Sequence, residues 1–491
     1  MNRAPAVMVL GCTSGAGKSW LATALCRWYA RQGLRVAPFK AQNMSNHARV
    51  VALADAAGGG TGEIGSAQYF QALAARAVPD VRMNPVLLKP EADTRSQVVL
   101  MGRVHPELTT MPWRERSALL WPTAQAALRA LQAEADVLVI EGAGSPAEIN
   151  LAANDYVNTF TAVESGAACL LVSDIDRGGA FAHLHGTQAL MDAQVRRQLR
   201  GYVLNRFRGD PALLAPAPQM LQDLTGLPTL AVVPMLRDHG LPEEDAVPGD
   251  AAPADGAPRV AVLATPHASN LDEFEPLRAA GVALRFVRDA AVLRQADWLL
   301  LPGSKHTLAD LAWVRAQGLD AAIAAHAAAG KPLLAVCGAL QWLGAVVDDP
   351  LGLEGGAPAR AAGLGLLPLH TRFAPAKRLQ RATHRLGALA GPWAPLSGLA
   401  VDGYEIHLGQ TAATDAALAP VVQGADGTPL GWQRGPVLAL YLHGLFENPA
   451  VVQALFGRSA PPLEAAFERL ADAVDAAFAP GALMGLLRPA G

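Results

Sequence analysis

The sequence predicts an α/β protein with two parallel-sheet domains, on three observations. Short apolar runs alternate with helical stretches from the first residues onward. A segment rich in Ala, Pro, Gly and Asp, PGDAAPADGAP at residues 248–258, interrupts that rhythm and reads as a linker. The length, 491 residues, exceeds what one core normally supports, so two or three domains are expected.

The elements follow in order. AVMVL reads as a buried strand. Leu21, Leu25, Trp28 and Tyr29 then share one face of a helix that ends near Gly33. RVAPF, DVLVIEG, ACLLVSD, GYVLNRF and LAVVP supply further strands of a first domain, residues 1–247. RVAVLA, ALRFV, DWLLLPG and PLLAVC restart the pattern in a second domain, residues 259–455. A Gly/Pro-rich stretch with shorter strands comes next and ends in VLALYLHG. In the tail, residues 456–491, Leu463, Phe467, Leu470, Val474 and Phe478 recur at helical spacing. That spacing predicts a packing helix without chemistry.

Composition narrows the function classes. The net charge of −3, from 40 basic and 43 acidic residues, argues against a general nucleic-acid binder. No run of about 18 strongly apolar residues predicts a membrane span, and the N-terminus leads straight into a strand rather than a secretory signal. Cys12, Cys26, Cys169 and Cys337 have no metal-like or disulfide-framework spacing, which points to a reducing, cytoplasmic setting.

The first chemical motif is Gly11-CTSGA-Gly17-Lys18-Ser19, lying between a strand and an amphipathic helix. Backbone N–H groups of such a turn, here around Gly11, Gly15 and Gly17, face anionic oxygens at a helix N-terminus. Lys18 adds a cation for terminal phosphates, and Ser19 offers a hydroxyl to Mg²⁺. The spacing is one residue longer than that of the common loop. Glu141 ends a strand, where ligands of open α/β sheets sit, and suits Mg²⁺. Asp174 and Asp176 also follow a strand; they can serve Mg²⁺ or a substrate, or shape the Gly-rich turn after them.

The second motif is Cys337, between PLLAV and GALQWLG. A strand–turn–helix setting exposes a nucleophile on a sharp elbow, at a helix N-terminus that favours a thiolate. Gly338 offers an oxyanion N–H, and the turn at Gly303 and Ser304 can supply a second. His443, at the end of its own strand, is the candidate base. Cys169 reads as core, Cys26 lies in the first helix, and Cys12 sits in the phosphate loop with no base nearby.

Nine uncommon strings then carry a family resemblance: PFKAQNMS (38–45), GEIGSAQ (62–68), MNPVLLKP (83–90), IEGAGSPAEIN (140–150), DIDRGGAFA (174–182), LNRFRGD (204–210), LLPGSKHT (300–307), DGYEIHLG (402–409) and YLHGLFEN (441–448). Over nearly its whole length the chain resembles the cobyric acid synthases, glutamine-hydrolysing amidotransferases of cobalamin biosynthesis. The phosphate loop also resembles that of dethiobiotin synthetase. The resemblance implies an ATP-dependent synthetase domain followed by a class I glutamine amidotransferase domain. It implies glutamine and a corrinoid, adenosylcobyrinic a,c-diamide, as substrates with ATP and Mg²⁺. Lys40 would hold phosphate or the reacting carboxylate, Gln42 and Asn43 would meet substrate, and Asn205 would read the adenine edge.

The sequence departs from the family pattern in places. The elbow reads CGALQW where CGGYQ is usual, so Ala339 and Leu340 are expected to alter the glutamine pocket. His267 stands where an Arg is usual. Leu445 occupies the position at which many class I amidotransferases carry a triad Glu, which leaves Glu447 as a candidate for the third role. Two alternatives accompany this reading: the related a,c-diamide synthase, and a non-enzymatic P-loop ATPase with an inactive amidotransferase-like domain.

Overall fold

The structure is a computed structural model that describes residues 3–53, 60–92, 95–236, 239–241 and 258–488. Apart from Pro258, the expected linker lies outside the described residues.

Six parallel strands form the N-terminal sheet. Their spatial order is Thr229–Pro234, Leu199–Phe207, Ala168–Asp174, Ala6–Gly11, Val137–Glu141 and Val36–Phe39. All six residues of Ala6–Gly11 are buried, as a strand covered on both faces requires. Its period-two alternation divides them. Met8 and Leu10 join one core with Leu128 and Leu131, while Val7 and Val9 join another with Leu21 and Leu25. The sheet order places the phosphate loop, Glu141 and Asp174 at one edge, the carboxyl ends of three neighbouring strands.

The C-terminal sheet has seven strands: Ala283–Val287, Arg259–Leu263, Trp298–Leu301, Leu333–Val336, Val437–Leu440, Pro429–Arg434 and Pro420–Gln423. The first five run parallel; Pro429–Arg434 pairs antiparallel with Val437–Leu440, and Pro420–Gln423 antiparallel with Pro429–Arg434. Gly303, Cys337 and His443 follow three adjacent strands and meet for that reason. The stretch expected to hold shorter strands instead holds two long ones, Leu369–Arg385 and Ala400–Ala413, of 17 and 14 residues. They pair antiparallel past a register shift between Phe373 and Arg378. Mutual pairing, not apolar periodicity, sustains them, and sequence patterning does not see it.

The tail helix, Leu463–Ala477, forms as its spacing predicts and packs across the first helix, Lys18–Arg31. Phe467, Leu470 and Val474 enter the same core as Leu21 and Leu25. Arg27 pairs with Glu464 at 2.7 Å, and the Tyr29 hydroxyl donates to the Leu483 carbonyl at 2.8 Å. The end of the chain thus returns to the domain that begins it. A hairpin of the N-terminal half, Ala48–Ala52 with Thr61–Gly65, makes the reciprocal contact: the Ala48 N–H donates to Asn270, and the Thr61 hydroxyl to the Leu379 carbonyl.

Candidate active sites

The phosphate loop turns through Gly15 (φ 70°) and Gly17 (φ 93°), left-handed conformations that glycine adopts without strain. Lys18 Nζ donates to the carbonyls of Thr13 (3.0 Å) and Gly144 (3.1 Å). A Cβ on Gly11 would lie 2.9 Å from that nitrogen. Asn205 Nδ2 donates to the Ala16 carbonyl at 3.0 Å, and a Cβ on Gly17 would collide with it. The Asn205 amide therefore braces the underside of the loop.

Glu141 gathers the site. Its Oε1 accepts from Ser19 Oγ and Lys40 Nζ, both at 2.8 Å, and its Oε2 accepts from Gln71 (2.5 Å) and Gln68 (3.4 Å). Burial alone would raise its pKa; Lys40, Ser19 and Gln71 reverse that and hold it below the usual carboxylate value. The buried carbonyl oxygens of Gln68 and Gln71 have no hydrogen-bond partner. Hydroxyl, carboxylate and free amide oxygens form a hard-oxygen donor set suited to Mg²⁺. Among the described residues, no cluster of three or more His, Cys, Asp or Glu forms a protein metal cage.

The other candidates of this half separate. Gln42 accepts from the Tyr156 hydroxyl at 2.5 Å, and Asn43 is buried against Gly65. Asp174 pairs with Arg177 (3.3 Å) and Arg206 (3.2 Å) and accepts from the Asp176 N–H, while Asp176 pairs with Arg208. Of the three options for these acids, the geometry matches the turn-shaping one. Arg177, which sequence reasoning passed over, sits 3.2 Å from where a Cβ of Gly15 would be. It adds a second cation beside the phosphate loop.

Cys337 has φ 51° and ψ −106°, a conformation costly for a side-chain-bearing residue and held by the strand before it and the helix Gly338–Leu343 after it. Its N–H donates to the Leu440 carbonyl at 2.8 Å. Space here is minimal. A Cβ on Gly338 would lie 2.7 Å from the Ser304 nitrogen, and one on Gly303 would lie 2.8 Å from His443 Cε1.

His443 is 1% exposed and lines the same pocket as Cys337, whose thiol donates to the Ile406 carbonyl at 3.5 Å. Its Nδ1 bonds Glu273 Oε1 at 2.9 Å, and Glu273 Oε2 accepts the Gly444 N–H at 2.9 Å. The Tyr404 ring stacks on the imidazole at 5.2 Å. Burial disfavours the imidazolium, but Glu273 and then Cys337 outweigh it and raise the pKa to about 10. The third member of this arrangement is therefore Glu273, not Glu447. Gly444 (φ 81°) turns the chain so that Glu447 points away and pairs with Arg49 at 2.5 Å. Glu273 lies 170 residues before His443, and no local motif marks it.

Two family models match: a CobQ/CobB/MinD/ParA nucleotide binding domain over residues 7–246 and a CobB/CobQ-like glutamine amidotransferase domain over residues 259–451. Cobyric acid synthases from Leptothrix cholodnii and Methylibium petroleiphilum are each 61% identical, over 99% of this chain and 98% and 97% of those proteins. That of Variovorax paradoxus is 62% identical over 98% of this chain and 99% of that protein. The chain belongs to the cobyric acid synthase family. A solved glutamine amidotransferase shares 18% identity at a TM-score of 0.31, over 43% of this chain and 98% of that one. This chain is accordingly a glutamine-dependent amide ligase of cobalamin biosynthesis, with a nucleotide-binding and a glutaminase domain.

The two departures from the cobyric acid synthase pattern resolve differently. Ala339 and Leu340 are fully buried in the core of the domain and do not line the thiol pocket, which overturns the expectation that they alter it. The next helical residue that does face the pocket is Gln341. His267 bonds Asp310 through Nδ1 at 2.9 Å, an ion pair that raises its pKa. The pocket itself is closed in part by Asn46, Lys89 and Gln97 of the N-terminal half. Glu63, fully buried, pairs there with both Lys89 and Lys377.

Proposed function

We propose that the chain amidates the b, d, e and g carboxylates of adenosylcobyrinic a,c-diamide in turn to give adenosylcobyric acid, using ATP, Mg²⁺ and glutamine in the cytoplasm. The observation that carries this reading is the strained Cys337 elbow against a His443–Glu273 pair, in a chain that also keeps an intact phosphate loop.

At the elbow, the Cys337 thiol passes its proton to His443, the sulfur bonds to the side-chain amide carbon of glutamine, and the carbonyl oxygen becomes an oxyanion. The N–H of Gly338, with the Gly303–Ser304 turn beside it, faces that oxygen. His443 gives that proton to the departing nitrogen, and ammonia leaves. It then takes a proton from the water that cleaves the thioester, releasing glutamate. Glu273 holds the imidazole tautomer and balances its charge throughout.

At the other site, the loop N–H groups, Lys18 and Arg177 bind the triphosphate. Ser19 and Glu141 would hold Mg²⁺, which when bound neutralises phosphate charge. Lys40 can release Glu141 to that ion and meet the transferred phosphoryl group or the corrinoid carboxylate. The carboxylate takes the terminal phosphoryl group, ADP departs, and ammonia displaces phosphate to form the amide. Free ammonia is mostly ammonium at pH 7, so its release beside the acyl phosphate preserves its nucleophilicity.

The test is Cys337→Ala with the a,c-diamide, ATP and either nitrogen source, followed by product mass. Glutamine-supported amidation should vanish while amidation with high ammonia persists. Equal glutamine use by variant and wild type would overturn the reading. The intact Cys–His–Glu set disfavours an inactive binding module.

A further inference from the structure

Arg49 sits on the hairpin strand Ala48–Ala52 of the nucleotide-binding half, yet it is 2% exposed and lies at the junction of the halves, over the Tyr69 and Phe70 rings of its own half and against the glutaminase half. Its Nε donates to Asp272 Oδ2 at 3.0 Å, and a second guanidinium nitrogen pairs with the same carboxylate. Its Nη1 pairs with Glu447 at 2.5 Å. The guanidinium lies 5.0 Å from the centre of the Tyr404 ring. Each partner is one step from the base. Asp272 precedes Glu273, which holds His443 Nδ1. The Tyr404 ring stacks on the imidazole, and Glu447 ends the turn that starts at Gly444. Next to Arg49, the Ala48 N–H donates to Asn270 Oδ1 at 2.8 Å, and the other end of that amide lies 3.4 Å from His443 Nδ1.

We propose that Arg49 is a positioning residue for His443, so that the nucleotide-binding half completes the glutaminase site of the other half. Building on the function proposed above, it assigns a long-range role to a residue that touches neither glutamine nor the sulfur. The physics is that of a buried cation with two carboxylates. Desolvating the guanidinium is expensive, and only close charge partners offset it. The planar fork grips Asp272 through two nitrogens while a third nitrogen reaches Glu447, which a point charge cannot do. Without Arg49, the buried Asp272 carboxylate next to Glu273 keeps, among the described residues, only the Ser66 hydroxyl at 3.0 Å and His47 at 4.0 Å, and must take up a proton or shift. The Tyr404 ring then loses the cation on one side, and the imidazole loses its fixed wall.

The experiment uses full-length protein, with glutamine-supported and ammonia-supported amidation measured beside thermal melting. Arg49→Met should lower kcat with glutamine by about 10–100-fold, the scale seen when groups that orient active-site ligands are removed. The KM for glutamine and the ammonia-supported rate should each stay within about threefold. Arg49→Lys should fall between the two. Arg49→Met combined with Asp272→Asn removes the buried carboxylate that faced Arg49 and leaves only Glu447, a third exposed, to be met by water. It should recover the melting temperature while the glutamine kcat stays low, and it decides the question even where Arg49→Met alone does not fold. Wild-type glutamine kcat in the combined variant would overturn the proposal. So would a parallel fall of both activities in protein that melts normally. Cys337→Ala, run alongside, separates the two readings. If it retains glutamine use, the function proposed above fails; if it loses glutamine use but the Arg49 variants do not, only the role of Arg49 fails.

Discussion

The phosphate site and the thiol site both lie at the carboxyl ends of parallel strands, but they are assembled differently. Residues 11–19 contain most of the first in a single loop, to which Lys40, Glu141 and Arg177 are added from neighbouring segments of the same half. The second draws on Glu273, Gly303, Cys337, Tyr404 and His443, with Arg49 reaching in from the other half. A backbone cradle for an anion needs consecutive N–H groups, so it is local by construction. A nucleophile, its base and the orienter of that base need three side chains converging on one point, and a parallel sheet brings them from distant strands.

Substitutions can break or sharpen this contrast. The largest effect is expected from Glu273→Gln, which keeps shape but removes the charge opposite His443. Glutamine-supported kcat should fall by about 10²–10⁴-fold, with the ammonia-supported rate unchanged. The same variant tests the pH behaviour. The folded-state pKa of His443, about 10, lies above the ordinary 6.5. Its pairing therefore stabilises the fold fully below about pH 6.5 and loses that contribution as the pH climbs through 10. Melting curves from pH 6 to 10 should show a steeper decline for wild type than for Glu273→Gln; parallel declines would count against the raised pKa.

Lys18→Ala should cost about 10²–10³-fold with either nitrogen source, because it strips a cation from the phosphates. Ammonia-supported turnover at the wild-type rate would remove the loop from the mechanism. Leu470→Ala acts on neither site directly. It empties a fully buried position between the tail helix and the first helix and should cost about 2–5 kcal/mol of stability in denaturant titration. The smallest effect is expected from Arg177→Ala. Being 61% exposed, its side chain is screened by water, so a change of about two- to fivefold in the KM for ATP is expected, with glutaminase activity intact.

Legibility followed the same division. The strand–loop–helix around Lys18 and the strand–elbow–helix around Cys337 each occupy one short stretch, and the structure has both where the sequence places them. The apolar runs located the strands of the two sheets, except Pro429–Arg434 and Pro420–Gln423 at one edge, which no run announced. The spacing around Leu470 located the tail helix but not its partner, because an amphipathic face states that something will cover it without stating what. Glu447 was read for its nearness to His443 in sequence. Glu273 won the position because the short helical turn Leu271–Phe274, far from His443 in sequence, is folded against the end of the strand that carries His443. Ala339 and Leu340 were read as pocket residues because they adjoin Cys337, yet the helix there turns them into the core.

By itself, the sequence determined the two chemistries of this protein, since each rests on backbone geometry that a few consecutive residues dictate. Family membership also follows from it, through long strings that chance does not repeat. Tertiary structure alone decided which distant parts meet: Glu273 behind His443, Arg49 against Asp272 and Glu447 across the two halves, and the tail helix on the first helix. Those contacts join residues 170 or more positions apart. They depend on burial and charge pairing that exist only once the chain is folded, and no local pattern encodes them.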